Sequence, residues 1–240
     1  MTGRDVILGR IREALSGGPV RKRAQGGWGR KVFRRVAAGE DDFSGREWLP
    51  PCGETFAERS ELFAKNSENL KTVYRVFETE EAMREAVLFL ARGEGWKRVA
   101  FHGDAFLVGV AEAMAGEGVE CLDVSGGIDK LALEGCDAGL TTCECLVAQT
   151  GTVLVSSTGC GGRALSVLPP HHVVLARREQ MVGDLVEALR VVSVRYGSDF
   201  PTMFSFITGP SRTGDIERIL VLGAHGPRKL TVYLLDDCVC

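Results

Sequence analysis

No uninterrupted apolar run in this chain is long enough to cross a bilayer, so membrane insertion is not expected. A signal peptide is also missing: the opening stretch MTGRDVILGRIREALSGG interleaves Arg4, Arg10 and Arg12 with Asp5 and Glu13 and holds no extended apolar core. A cytoplasmic protein is the expectation. Neither sign of charge dominates, the formal net charge being −3 over 240 residues, so nothing drives the whole molecule toward nucleic acid or anionic lipid. No C-x-x-C spacing occurs among the eight cysteines. The two C-x-C pairs, Cys143/Cys145 and Cys238/Cys240, match neither zinc knuckles nor ferredoxin-type ligation, and on a strand such a pair shares one face as core cysteines do. Thiols and no bound metal are therefore expected. There is no internal repeat, and no G-x-S-x-G elbow surrounds Ser156, Ser157 or Ser211, which argues against a hydrolase triad. The glycines from Gly159 to Ala164 satisfy a G-x-G-x-x-A fingerprint, with Glu179 near the distance of a ribose-binding acid. Pro169-Pro170 nevertheless leaves scarcely two turns for the crossover helix that dinucleotide binding needs.

What is present is the composition of a globular α/β protein, 45% hydrophobic and 25% charged, enough for a sizeable core. Residues 1–71 read as an extension: a short amphipathic helix to about Ser16, a Gly- and Arg-rich loop over 20–53, and a second helix from Glu54 to about Leu70. The main domain is expected over 72–240. Strand and helix alternate there: strand Thr72–Phe77, helix Glu80–Arg92, strand Arg98–His102, helix Ala105–Glu117, strand Val119–Val124. Two strand-like runs, Ala138–Ala148 and Thr152–Ser157, then follow with no helix between them, which requires a hairpin or a bent pair. Alternation resumes with strand His172–Ala176, helix Glu179–Tyr196, strand Met203–Thr208, a turn or helix at Ser211–Glu217, and strands Ile219–Leu222 and Leu230–Leu235.

Two stretches carry candidate chemistry. In QTGTVLVSSTGCGGRALSVLPPHHVV (149–174), Gly159, Gly161 and Gly162 let backbone N–H groups crowd a small anion, Arg163 adds a forked permanent charge, and His171 and His172 stand at the lip of the next strand. In TGPSRTGDIERILVLGAHGP (208–227), Ser211 and Thr213 can cap a helical turn, Asp215 and Glu217 supply carboxylates, and His225 is the best-placed acid–base group near neutral pH. A tight turn and a hydrogen-bonding surface histidine would use the same residues.

The runs A-Q-T-G-T-V (148–153), G-G-R-A-L-S-V-L-P (161–169) with His172, and G-P-S-x-T-x-D-I-E (209–217) with G-x-H-G-P (223–227) together resemble the LUD-domain family, within it the lactate-utilisation C subgroup. The resemblance covers roughly Thr72 to Leu235. It implies a three-layer α/β/α domain similar to the sugar-phosphate isomerase and CoA-transferase fold. It also implies a role beside iron-sulfur partner proteins in oxidising L-lactate to pyruvate, with no cofactor of its own, and the expected role of this chain is that of an accessory or ligand-binding subunit. One departure matters: Gln149 stands where family members often carry Glu, and an amide cannot act as the carboxylate nucleophile of the related CoA-transferases. The expected site places Thr150, Gly151, Thr152, Gly161, Gly162, Arg163, His172, Ser211 and Thr213 around a small carboxylate or phosphate, with His225, Asp215 and Glu217 catalytic. A free-standing isomerase-like or hydrolytic enzyme would use the same three catalytic groups.

Overall fold

The computed structural model describes residues 50–127, 129–159, 162–213, 221–222 and 226–237, all within the unit Phe43–Cys240. Six strands form an all-parallel sheet: β1 (Val73–Phe77), β2 (Arg98–Phe101), β3 (Glu120–Asp123), β4 (Ala138–Thr141), β7 (His171–Arg177) and β12 (Lys229–Leu235). Their spatial order is β3-β2-β4-β7-β12-β1. Three short strands between β4 and β12 belong with one longer one to a second sheet: β8 (Met181–Val182), β5 (Cys145–Val147), β6 (Thr152–Ser156) and β9 (Phe204–Ile207), in that order. A two-stranded piece, β10 (Arg212–Thr213) with β11 (Val221–Leu222), completes the strands described.

Side-chain alternation explains the layers. On one face of the large sheet, α2 (Glu80–Glu94) and α3 (Ala105–Gly116) set Met83, Val87 and Ala91, and Leu107, Val110 and Met114, against Val99, Phe101, Leu140, Val173 and Leu175. The spacing of those helical residues is one buried stripe per helix. The alternate residues of β7 and β12, Val174, Ala176, Leu230, Val232 and Leu234, face the other way and meet Leu146, Val153 and Val155 of the small sheet. Phe63 of α1 (Phe56–Leu70), fully buried, closes that second core. The outer face of the small sheet, through Cys145, Val147 and Leu154, packs on Ala188 and Val192 of α6 (Leu185–Tyr196). Strands buried on both faces read as continuous apolar runs rather than as alternation.

The parallel sheet flanked by helices is the expected α/β fold; the differences lie in the connections. The run Ala138–Ala148 is two strands in two sheets, β4 and β5, parted at Thr142–Glu144. The helix expected from Glu179 starts at Leu185, because Asp184 caps it by accepting from the N–H groups of Val186 and Glu187, while Met181–Val182 extend to pair with β5. Arg212–Thr213 open the Ser211 segment as a strand, not a helical turn. Two short helices, α4 (Lys130–Glu134) and α5 (Gly162–Leu165), were not legible. The expected N-terminal helix lies outside the described residues. Among the described residues no helix is long and apolar enough to cross a membrane.

Candidate functional site

The chain leaves β2 through α3 on one face of the large sheet. It leaves β3 through α4 on the other, where Leu133 packs with Ala100, Val124 and Leu165. Strand order therefore reverses between β2 and β4, and an open α/β sheet offers a crevice at the carboxyl ends of two such strands. His102 and Thr142 stand directly beyond those ends. His102 Nε2 lies 3.4 Å from Thr142 Oγ1, and the Thr142 hydroxyl donates at 3.5 Å to the Gly159 carbonyl, so a loose chain of polar groups ties β2, β4 and the glycine loop together. Burial lowers the pKa of His102, against the opposing pull of Asp104 and Asp123, so the imidazole at this strand end is neutral at pH 7. Behind it Asp104 caps α3 through the Phe106 N–H. Gly103 donates to Ser125 Oγ, and a Cβ at Gly103 would stand 2.7 Å from that oxygen.

Deeper in this corner is a carboxylate withdrawn from water. Glu144 has a fully buried side chain, and its Oε1 accepts from Ser156 Oγ and from Tyr196 OH, each at 2.5 Å, while Arg195 Nη1 closes on Oε2. Gly159 N–H donates to the same Ser156 hydroxyl at 2.7 Å. A Cβ at Gly159 would lie 2.5 Å from Glu144 Oε1, so the loop needs glycine here for close approach. Burial and the hydrogen bond to Glu144 push the Tyr196 hydroxyl up to about 12, which keeps it a donor. Sequence reading passed over Glu144, His102, Thr142 and Tyr196. The available signal was a lone carboxylate, Glu144, inside an apolar run, since such a group is rarely buried unless paired.

The residues expected to share one pocket are divided by the β6/β9 ladder, which pairs Val153 with Ile207 at one end and Ser156 with Phe204 at the other. At the first end Thr150 Oγ1 donates to Thr152 Oγ1, which lies 2.8 Å from Thr208 Oγ1, and Gly151 packs against Asn66 and Leu70 of α1. Ser211 is on that side too, its N–H donating to the Pro227 carbonyl. At the second end are Gly159, Gly162 and Arg163, whose Nη2 donates to the Thr202 carbonyl at 3.1 Å. About 13 Å of strand separates the two groups, so the glycine loop and the Ser211 turn do not meet. The Gly159 N–H expected to be free for an anion is already donated to Ser156. Arg163 has no acidic partner among the described residues. His172 lines neither end: it is 1% exposed, its Nε2 lies 2.8 Å from Thr141 Oγ1, and burial drives its pKa down to about 3. Gly161, Asp215, Glu217 and His225 lie outside the described residues, as does the side chain of Thr213. Gln149 donates through Nε2 to the Pro50 carbonyl at 2.6 Å, a bond that an ionised Glu could not make. Among the described residues no three His, Cys, Asp or Glu side chains are grouped to hold a metal ion.

Comparison with known proteins agrees with this architecture. "Lactate utilization protein C" of Anoxybacillus flavithermus is 32% identical over 130 residues, 54% of this chain and 58% of that protein. The protein of the same name from Bacillus subtilis is 33% identical over 106 residues, 43% of this chain and 44% of its own length. The chain thus spans about half the length of the curated relatives it matches. The crystal structure of a DUF162 family protein from Deinococcus radiodurans superposes with a TM-score of 0.57 at 21% identity, covering 76% of this chain and 99% of that one, a likeness of fold. Residues 60–235 match the LUD domain, well over half of the sequence, and the chain belongs to the LUD domain family.

Proposed function

We propose that this protein is a ligand-binding or accessory component of a lactate-utilisation system, working beside iron-sulfur partner proteins in the oxidation of L-lactate to pyruvate. The relatives named for lactate utilisation support the system, and the polar groups gathered at the carboxyl ends of β2 and β4 support the ligand. One observation carries the second part: a neutral His102, the Thr142 hydroxyl and the glycine loop converge at the strand ends where open α/β sheets take small ligands. A 2-hydroxy or 2-keto carboxylate needs one hydrogen-bonding pair for its C2 oxygen and one cation for its carboxylate. His102 and Thr142 supply the pair. Arg163, just beyond the glycine loop and holding only a carbonyl among the described residues, supplies the fork-shaped cation.

Calorimetric titration of L-lactate and pyruvate into wild type, Thr142→Val and Arg163→Gln tests this reading. Saturable binding by wild type, weakened about tenfold or more in each variant, corresponds to losing one hydrogen bond to a charged or polar ligand atom. Failure of wild type to bind either acid removes the crevice as a carboxylate site. The system-level part is tested separately, by asking whether the chain co-elutes with iron-sulfur proteins from cells grown on lactate. Turnover of lactate or pyruvate by the isolated chain would replace the accessory role with a catalytic one.

A further inference from the structure

Where β12 and β7 begin, and beside the first half of β1, the large sheet opens into a groove under the second half of α2. Its volume is about 730 Å³, within the usual range of small-molecule sites. Val73, Thr231 and Tyr233 line the sheet side, and Phe89 and Leu90 line the helix side. Phe89 is 72% exposed and Val73 48%, so two large apolar side chains border the groove without being covered by the fold. At the sheet side His171 and Thr231 are 4% and 1% exposed, and the Nδ1 of His171 has no hydrogen-bond partner among the described residues.

The charge around this opening is one-sided. Lys71, Arg75, Arg212, Arg228 and Lys229 border it against a single carboxylate, Glu94. Lys229 is neutralised by Glu94 at 2.5 Å, and Arg212 donates to the Leu70 carbonyl. That leaves Lys71, Arg75, Arg212 and Arg228 with no acidic partner among the described residues, in a chain whose net charge is −3. Surface cations are usually interspersed with acids and need no explanation. Four uncompensated cations around an exposed apolar groove are a different arrangement, one that complements an anion with an apolar body.

We propose that this groove binds an amphipathic organic anion, a single carboxylate or phosphate on a medium-length apolar body, with the body along Val73, Phe89 and Leu90 and the head at Arg75 and Arg228. Such a ligand gains roughly fourfold in affinity for each methylene it buries. Lactate and pyruvate have no such body, so the groove is a second site, independent of the strand-end crevice.

Octanoate is the probe, titrated calorimetrically into the full-length protein beside acetate, which has the head alone, and 1-octanol, which has the body alone. Expected are one octanoate per chain, acetate and octanol each at least about tenfold weaker, and a weakening of about tenfold in Arg228→Gln and in Phe89→Ser. Phe89 and Arg228 are exposed, and thermal melts of both variants check that the fold is intact. No octanoate binding, acetate binding as tightly as octanoate, or multiple octanoates indifferent to both substitutions would each overturn the proposal. Binding of an acidic amphipathic peptide in place of octanoate would overturn it in favour of a protein partner.

Discussion

Glu144 and His172 are each 1% exposed, and they meet the cost of leaving water in opposite ways. Glu144 collects donors from Ser156, Tyr196 and Arg195, the arrangement that a buried carboxylate requires. Among the described residues His172 has one partner, the Thr141 hydroxyl, and burial lowers its pKa to about 3; its neighbour His171, beside Thr231, is lowered to about 4. From sequence alone the pair reads as the lip of a strand open to a ligand. The run HHVVLA is instead buried on both faces, and no periodicity in a run buried on both faces reports which end meets water. A pH dependence follows. Both folded values lie below the ordinary 6.5, so between pH 6.5 and about 4 the unfolded chain binds more protons than the folded one. Stability is complete above pH 6.5 and falls as the pH falls, each histidine contributing a slope of up to about 1.4 kcal/mol per pH unit. Urea unfolding at pH 7, 6 and 5 should show that slope reduced by about one proton in His171→Gln and again in His172→Gln. An unchanged slope would mean that both rings titrate in the fold as they do in the unfolded chain.

Elements announced themselves where one face met water. The stripes Met83/Val87/Ala91 and Leu107/Val110/Met114 place α2 and α3 within two residues of their ends. Strands β4, β5, β6, β7 and β12 are mostly buried on both faces, so their existence was legible and their partition into two sheets was not. The two-residue strands β8 and β10 are extended only because a neighbouring strand accepts them, a tertiary effect with no local signature. Helix α1 was legible, yet what holds it was not: Asn66 Nδ2 donates to the carbonyls of Ala148 and Gln149 at 2.9 and 3.0 Å, hooking α1 to the β5/β6 corner. Gly151, with φ +62° and no room for a Cβ beside Asn66, completes the joint. Asn66→Ala should cost about 2–4 kcal/mol, since two carbonyls lose their shared donor. Asn66→Asp should be worse at pH 7, because an ionised carboxylate faces the same two acceptors. The gap between the variants should close as the pH approaches 4 and the aspartate gains a proton. Chemical denaturation at both pH values measures this, and an Asp variant more stable than the Ala variant at pH 7 would remove the hook.

Seen as a whole molecule, the large sheet carries two proposed sites, the strand-end crevice and the groove under α2, whereas the sequence pointed to a single pocket. The motifs at 150–152, 159–163 and 208–213 lie close in sequence pattern and suggested a single pocket, but antiparallel pairing of β6 with β9 sends their chemistry to opposite ends of one ladder. Which strand ends converge is a matter of long-range pairing, which a single sequence does not reveal. Thr142 and Arg75 stand at the same level but three strands apart, about 14 Å, and Arg228 lies about 13 Å further down the strands than His102. Between them run β7 and β12, seven residues each and paired along their whole length. Such a buried sheet has no evident second arrangement through which one site would bias the other. Pyruvate and octanoate should therefore bind independently. A ligand that binds only the folded state at about 100-fold its dissociation constant adds about 2.7 kcal/mol to stability. Two independent sites then add to about 5.4 kcal/mol, whereas two ligands competing for one site reach only about 3 kcal/mol. Urea unfolding with each ligand alone and with both distinguishes these outcomes well beyond experimental error. A combined value near 3 kcal/mol would mean that pyruvate and octanoate occupy the same site.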